Sequence, residues 1–118
     1  MIDAELDARK VERLCNLLTE RTIVAPHLNI NGSSLNSLAE EIAKPLSMAY
    51  GLKAALGEMA PHGRDYQTVK PEVYQAALRQ HERRMIAVNL LVAELDAELQ
   101  MLYEQADERE KMKGRREG

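Results

Sequence analysis

The chain contains no phenylalanine and no tryptophan, and four tyrosines are its whole aromatic complement. A core assembled without large rings must be made of leucine, alanine, methionine and valine. Such residues suit helix-on-helix packing, because straight side chains keep most of their rotamer freedom in a helix. The β-branched and aromatic runs that mark strands are missing too, so the expected fold class is all-α. A single cysteine, Cys15, excludes an intramolecular disulfide and a cysteine-rich metal site. It falls on the stripe Ala4, Ala8, Val11, Cys15, Leu18, where the role of a buried small hydrophobe is expected. No apolar run approaches a membrane span, and acidic residues stand at the amino terminus where a secretory signal would be basic. Cytoplasmic residence, with no membrane partner, is the expectation.

Positive charge is not in surplus either. A net charge of -3 and a pI near 5.6 argue against nucleic acid as a partner, since backbone binding needs a basic face. Catalytic sets are absent by the same reading. His27, His62 and His81 have no i, i+4 partner of metal-ligand type. No glycine-rich loop ends in Lys-Ser or Lys-Thr, and the serines have no evident base. No enzyme, no cofactor and no metal are expected.

What the chain does have is one long regular stretch. Within residues 71–112, Tyr74, Leu78, His81, Met85, Val88, Val92, Leu95, Leu99, Leu102 and Ala106 alternate at spacings of four and three, a heptad seam. Pro71 suits the first turn of a helix, where its missing N–H is not needed. The helix would be about 60 Å long. A compact domain of this size has a radius of gyration near ~13–14 Å, hence a diameter on the order of 35 Å. The helix is thus longer than its own globule, and Val88, Val92, Leu95, Leu99 and Leu102 are expected to form a seam between copies of a homo-oligomer.

The remainder of residues 1–118 reads as part of the same single helical domain. An amphipathic helix over residues 2–21 carries Leu14 and Leu17 beside its apolar stripe, with Asp3, Glu5 and Asp7 favoured by the helix dipole. An extended connector around Pro26 follows, ending in Asn31, Gly32, Ser33 and Ser34. A helix over residues 35–60 is expected to bend or split at Pro45. Gly51 and Gly57 weaken its second half by about 1 kcal/mol each, which suggests the close approach of a neighbouring helix. Short connections imply an antiparallel hairpin with the long helix. Beyond it, residues 113–118 read as a frayed basic tail.

Two polar loop clusters stand out. His27, Asn29, Asn31, Gly32, Ser33 and Ser34 precede a helix and read either as an N-cap or as an anion site. Pro61, His62, Gly63, Arg64, Asp65 and Tyr66 offer a guanidinium, a carboxylate and an aromatic face. They read as a capped turn with a local Arg64–Asp65 pair, or as a place for a base and a phosphate. His81 lies on the seam, where a polar residue fixes register or binds a ligand. In a hairpin the clusters lie at opposite ends, about 39 Å apart, so one small ligand can meet both only in an assembly.

The order His27-Leu28-Asn29, Asn31-Gly32-Ser33-Ser34, Pro61-His62-Gly63-Arg64-Asp65-Tyr66, then Tyr74, Ala77 and His81, resembles a group of small phage-encoded helical proteins. Their pattern is His-Leu-Asn-Gly-Thr-Ser, then Pro-Asn-Gly-Arg-Asp-Tyr-Tyr and a later Glu-His. The similarity covers residues 27–100. Here Ile30 and Asn31 interrupt the first run, Gln67 stands for the second tyrosine, and Gln80 precedes the histidine. The resemblance implies a phage setting in a bacterial cytoplasm. It also implies a counter-defence factor that traps a cyclic or other nucleotide signal between subunits. Arg64, Tyr66, Asp65, His27, Ser33, Ser34 and His81 are the expected ligand-binding residues. The alternative is a protein-interaction module that inhibits a host defence complex or serves phage assembly.

Overall fold

In the computed structural model, which describes residues 4–19 and 22–117, the chain is an antiparallel helical hairpin preceded by a separate helix. Helix α1 spans Ala4–Thr19, α2 spans Leu35–Glu58, a 3₁₀ turn covers Gly63–Tyr66, and α3 runs from Pro71 to Glu117. Among the described residues there is no strand. The expected ends of the first helix, residues 2, 3, 20 and 21, lie outside the described residues, as does Gly118.

The hairpin closes because each long helix carries one continuous apolar row. Ala39 and Ile42 pack with Leu102, which is completely buried, and Leu46 and Ala49 pack with Val92. Leu95 and Leu99 touch both groups and join them into one line. The start of α2 thus meets the later part of α3, and the helices run in opposite directions. Alanine on the α2 side of each layer lets the helices sit close, toward the ~8 Å end of the usual range.

This packing corrects the expected use of the seam. Val92, Leu95, Leu99 and Leu102 pack on α2 of the same chain, and Val88 is buried as well, so the row is not left open as a contact for another copy. A heptad row shows that a helix has a partner, but not to which chain the partner belongs. The long helix still exceeds the body. The radius of gyration is 21.0 Å and the molecule extends 74 × 35 × 19 Å.

Of the two expectations for Pro45, the split does not occur: α2 is continuous, and the ring sits on the exposed side, where water can bond the carbonyl it leaves without a donor. Three further expectations change. Residues 113–117 continue α3 rather than fray. Glutamate, lysine and arginine are good helix formers, and Asp107–Lys111 and Glu110–Lys113 have the spacings that support a helix. Cys15 is exposed, and among the described residues α1 packs on neither α2 nor α3. Among the described residues nothing lies within 4 Å of where a side chain on Gly51 or Gly57 would begin.

The connector is tied to α3 by one side chain. The Gln105 amide donates to the Pro26 carbonyl at 2.8 Å, and its oxygen accepts from the Leu28 N–H at 3.0 Å. Both polar ends of one glutamine thereby hold an extended backbone that has no ladder of its own, and Ala25 beside it is buried.

Leu102→Ala should cost roughly 2–5 kcal/mol of stability, the range for a fully buried leucine. Leu99→Lys should melt the hairpin, read as lost helicity by circular dichroism. Retained helicity with a smaller particle mass would return the seam to an inter-chain role.

Candidate functional site

The hairpin sets the two polar clusters at opposite ends of α2, whose 24 residues span about 36 Å. At the first end, Ser34 is the N-cap: its backbone is extended (φ -68°, ψ 159°) and its Oγ accepts from the Ser37 N–H at 3.2 Å. Asn29 makes a local turn. Its Oδ1 accepts from the Asn31 N–H at 3.0 Å and its Nδ2 donates to the His27 carbonyl at 3.1 Å. The Gly32 N–H closes the turn on the Asn29 carbonyl at 3.2 Å, and a side chain at Gly32 would begin 2.8 Å from Asn29 Nδ2. A larger residue there would have to push the Asn29 amide aside and disturb the turn it makes. Several polar atoms of this cluster are therefore engaged locally, although His27, Ser33 and Ser34 all face solvent.

At the other end the turn is built differently. The Asp65 N–H donates to the His62 carbonyl at 3.0 Å and the Val69 N–H to the Tyr66 carbonyl at 3.4 Å. Tyr66 then lies against Tyr74 of α3, with ring centroids 5.3 Å apart and planes tilted by 33°, within the distance at which aromatic rings attract. A side chain on Gly63 would begin 3.8 Å from the same Tyr74 ring, in ordinary van der Waals contact. Arg64 and Asp65 are exposed beside this pair, and the expected Arg64–Asp65 ion pair does not form. Exposed neighbours lose little by staying apart, since a surface pair is worth at most about 1 kcal/mol. His81 is half-buried on α3, two turns along the row from Tyr74 and roughly 10 Å from it.

Of the expected site residues, the structure brings Arg64, Asp65 and Tyr66 together, with His81 further along the same face. It leaves His27, Ser33 and Ser34 at the far end. Residues not singled out in the sequence add to both ends. Tyr74 supplies the ring under Tyr66. At the first end an open groove of about 670 Å³ lies between the connector and the overhang of α3. Leu28, Leu35, Tyr103 and Met112 give it apolar walls, and Arg109, Glu110 and Lys113 rim it with mixed charge. Periodicity gives no signal of this groove, because Leu28 lies in the connector and is held near α3 by the bonds of Gln105 to the connector backbone.

Among the described residues there is no group of three or more histidine, cysteine or acidic side chains that could hold a metal. No described helix is long and apolar enough to cross a membrane. Comparison of the chain with protein-family models, with curated proteins and with solved structures returns no match.

Ser34→Ala should lower stability by about 1 kcal/mol through loss of the cap, whereas Ser33→Ala should leave the urea midpoint unchanged. Equal losses at both positions would mean that the cap is not the structural role of this pair.

Proposed function

We propose that the chain is a non-enzymatic, homo-oligomeric binding protein that holds a small nucleotide-type ligand at the end of the hairpin bearing Arg64, Asp65 and Tyr66. The observation that carries this reading is an exposed guanidinium next to a pair of packed tyrosines. Arginine recognises phosphate through paired charge-assisted hydrogen bonds, and an aromatic surface takes a base by stacking without regard to its sequence. Asp65 adds an acceptor for an exocyclic amine or a sugar hydroxyl.

In one copy this end is open to solvent, whereas small-molecule sites are concave and bury most of their ligand. The reading therefore requires a second wall, and a neighbouring copy is the source that fits the surplus surface of the chain. The molecule exposes 9845 Å², against about 6,450 Å² expected for a compact monomer of this mass. The resemblance to phage-encoded helical proteins supports a counter-defence role in a bacterial cytoplasm, with a cyclic oligonucleotide or related alarm signal as the ligand.

A second reading has its own observation. The groove between Leu28, Leu35 and Met112 has the apolar walls and charged rim of a seat for a partner helix. It fits a protein-interaction module acting on a host defence complex or in phage assembly.

A panel of cyclic and linear nucleotides should separate the readings. A ligand at a hundred times its dissociation constant should stabilise the protein by about 2.7 kcal/mol, seen as a raised Tm. Arg64→Ala should remove the rise without changing helicity. No shift across the panel, together with stoichiometric recovery of one host protein that Met112→Glu abolishes, would replace the ligand reading by the second.

A further inference from the structure

We propose that two copies of this chain pair antiparallel through the outer face of α2, crossing at Gly51. The pairing brings the Arg64–Tyr66 turn of each copy toward the Ser33–Ser34 cap of the other. The inference rests on the oligomeric reading above and supplies its missing wall.

The face in question is apolar without a reason inside the chain. Between Pro45 and Gly57 the only charged residue of α2 is Lys53. The inward row Ile42, Leu46 and Ala49 is buried against α3. Met48, Leu52, Ala55 and Met59 form a second row at spacings of four, three and four, on another side of the helix. Met48 is 67% exposed, Leu52 50% and Met59 61%. A helix that is apolar on more than one side is a helix with more than one neighbour, and among the described residues this one packs on α3 alone.

Gly51 marks where the second neighbour crosses. A glycine inside an exposed helix costs about 1 kcal/mol relative to alanine, and among the described residues nothing comes within 4 Å of its absent side chain. Gly57 is equally open but stands one residue from the helix end, where glycine is ordinary. Gly51, in mid-helix at the edge of the apolar row, has no such explanation, and its bare backbone lets another helix approach closely.

Charge fixes the partner and its direction. Lys44 and Glu58 are both exposed, and each lies seven residues from Gly51, on opposite sides of it. Seven residues are nearly two turns, so the three share one edge of the helix. When a second α2 crosses antiparallel at Gly51, Lys44 meets Glu58 of the second copy, and Glu58 meets Lys44 of the second copy. A parallel crossing would oppose lysine to lysine and glutamate to glutamate. The patch is thus complementary to itself under a twofold axis, as an isologous interface must be.

The same register has a consequence for the site. From Gly51, α2 runs about 26 Å back to Ser34 and about 12 Å forward to its end. The cap of each copy therefore reaches past the α2 end of the other, toward the turn that carries Arg64 and Tyr66. Ser34 falls within 40° of Met48 around the helix by the ordinary 3.6-residue repeat, on the side that faces the second copy. Two clusters that one chain holds apart are brought near each other twice in the dimer.

The test is a charge swap in the full chain, with mass by analytical ultracentrifugation and helicity by circular dichroism. Lys44→Glu turns both contacts repulsive and should weaken self-association about tenfold. Lys44→Glu with Glu58→Lys should restore it to within about threefold, all three proteins being equally helical. In a Cys15→Ser background, Lys44→Cys mixed with Glu58→Cys should cross-link, and neither alone should. A wild-type protein that is monomeric at every concentration, for instance with its own α1 lying on this face, overturns both the pairing and the oligomeric reading. A wild-type oligomer indifferent to Lys44→Glu, or one cross-linked by Lys44→Cys alone, overturns the pairing while leaving the nucleotide reading to its own thermal-shift test.

Discussion

Everything in the described part of this molecule depends on one antiparallel contact, the row of Leu102, Leu99, Leu95 and Val92 on α3 laid against Ala39, Ile42, Leu46 and Ala49 on α2. It is a single line of small and medium aliphatic side chains, with no aromatic residue in it. Burying one leucine contributes about 1.5–3 kcal/mol, and a two-helix line offers few such positions. The hairpin is therefore a scaffold of modest stability whose other faces remain available. That condition explains how α1 can carry exposed Val11 and Leu17, and α2 exposed Met48 and Leu52, without the fold itself being contradicted.

The contact also decides what the ends of the molecule can do. Because α2 and α3 are antiparallel and the connections are tight, the serine cap and the Arg64 turn are held apart by the length of α2. Gln105 fixes the connector on one side, and the Tyr66–Tyr74 pair fixes the turn on the other. The chain positions two polar clusters accurately and separates them by more than a small ligand can span. Chemistry that needs both must come from assembly, and the outer face of α2 is where charge, glycine placement and unpartnered apolar surface coincide.

The sequence made the helices legible because their periodicity is long and strong, as from Tyr74 to Ala106, and because Ser34 and Pro71 mark starts with known chemistry. Their partners were less legible. The heptad row on α3 announces a neighbour but carries no label saying that the neighbour is α2, so the seam was assigned to another chain. Cys15 lies on a periodic stripe, and a stripe states only which side would be buried if something covered it. The role of Gln105 has no periodic signature at all, since its value comes from two backbone groups some eighty residues away in the chain. At the sites, residue types correctly pointed to a cap at Ser34 and to a polar turn at Arg64. Only the folded chain shows that Asn29 engages polar groups around the first cluster and that Tyr74 completes the second.

The central claim is that this hairpin is half of a structure and that its copies complete it. Light scattering coupled to size separation measures this most directly, because it gives mass independently of the elongated shape. A mass of twice the 13.3 kDa chain, or a larger even multiple, is what the account predicts. A particle of 13.3 kDa that keeps its helicity across the accessible concentration range would contradict it.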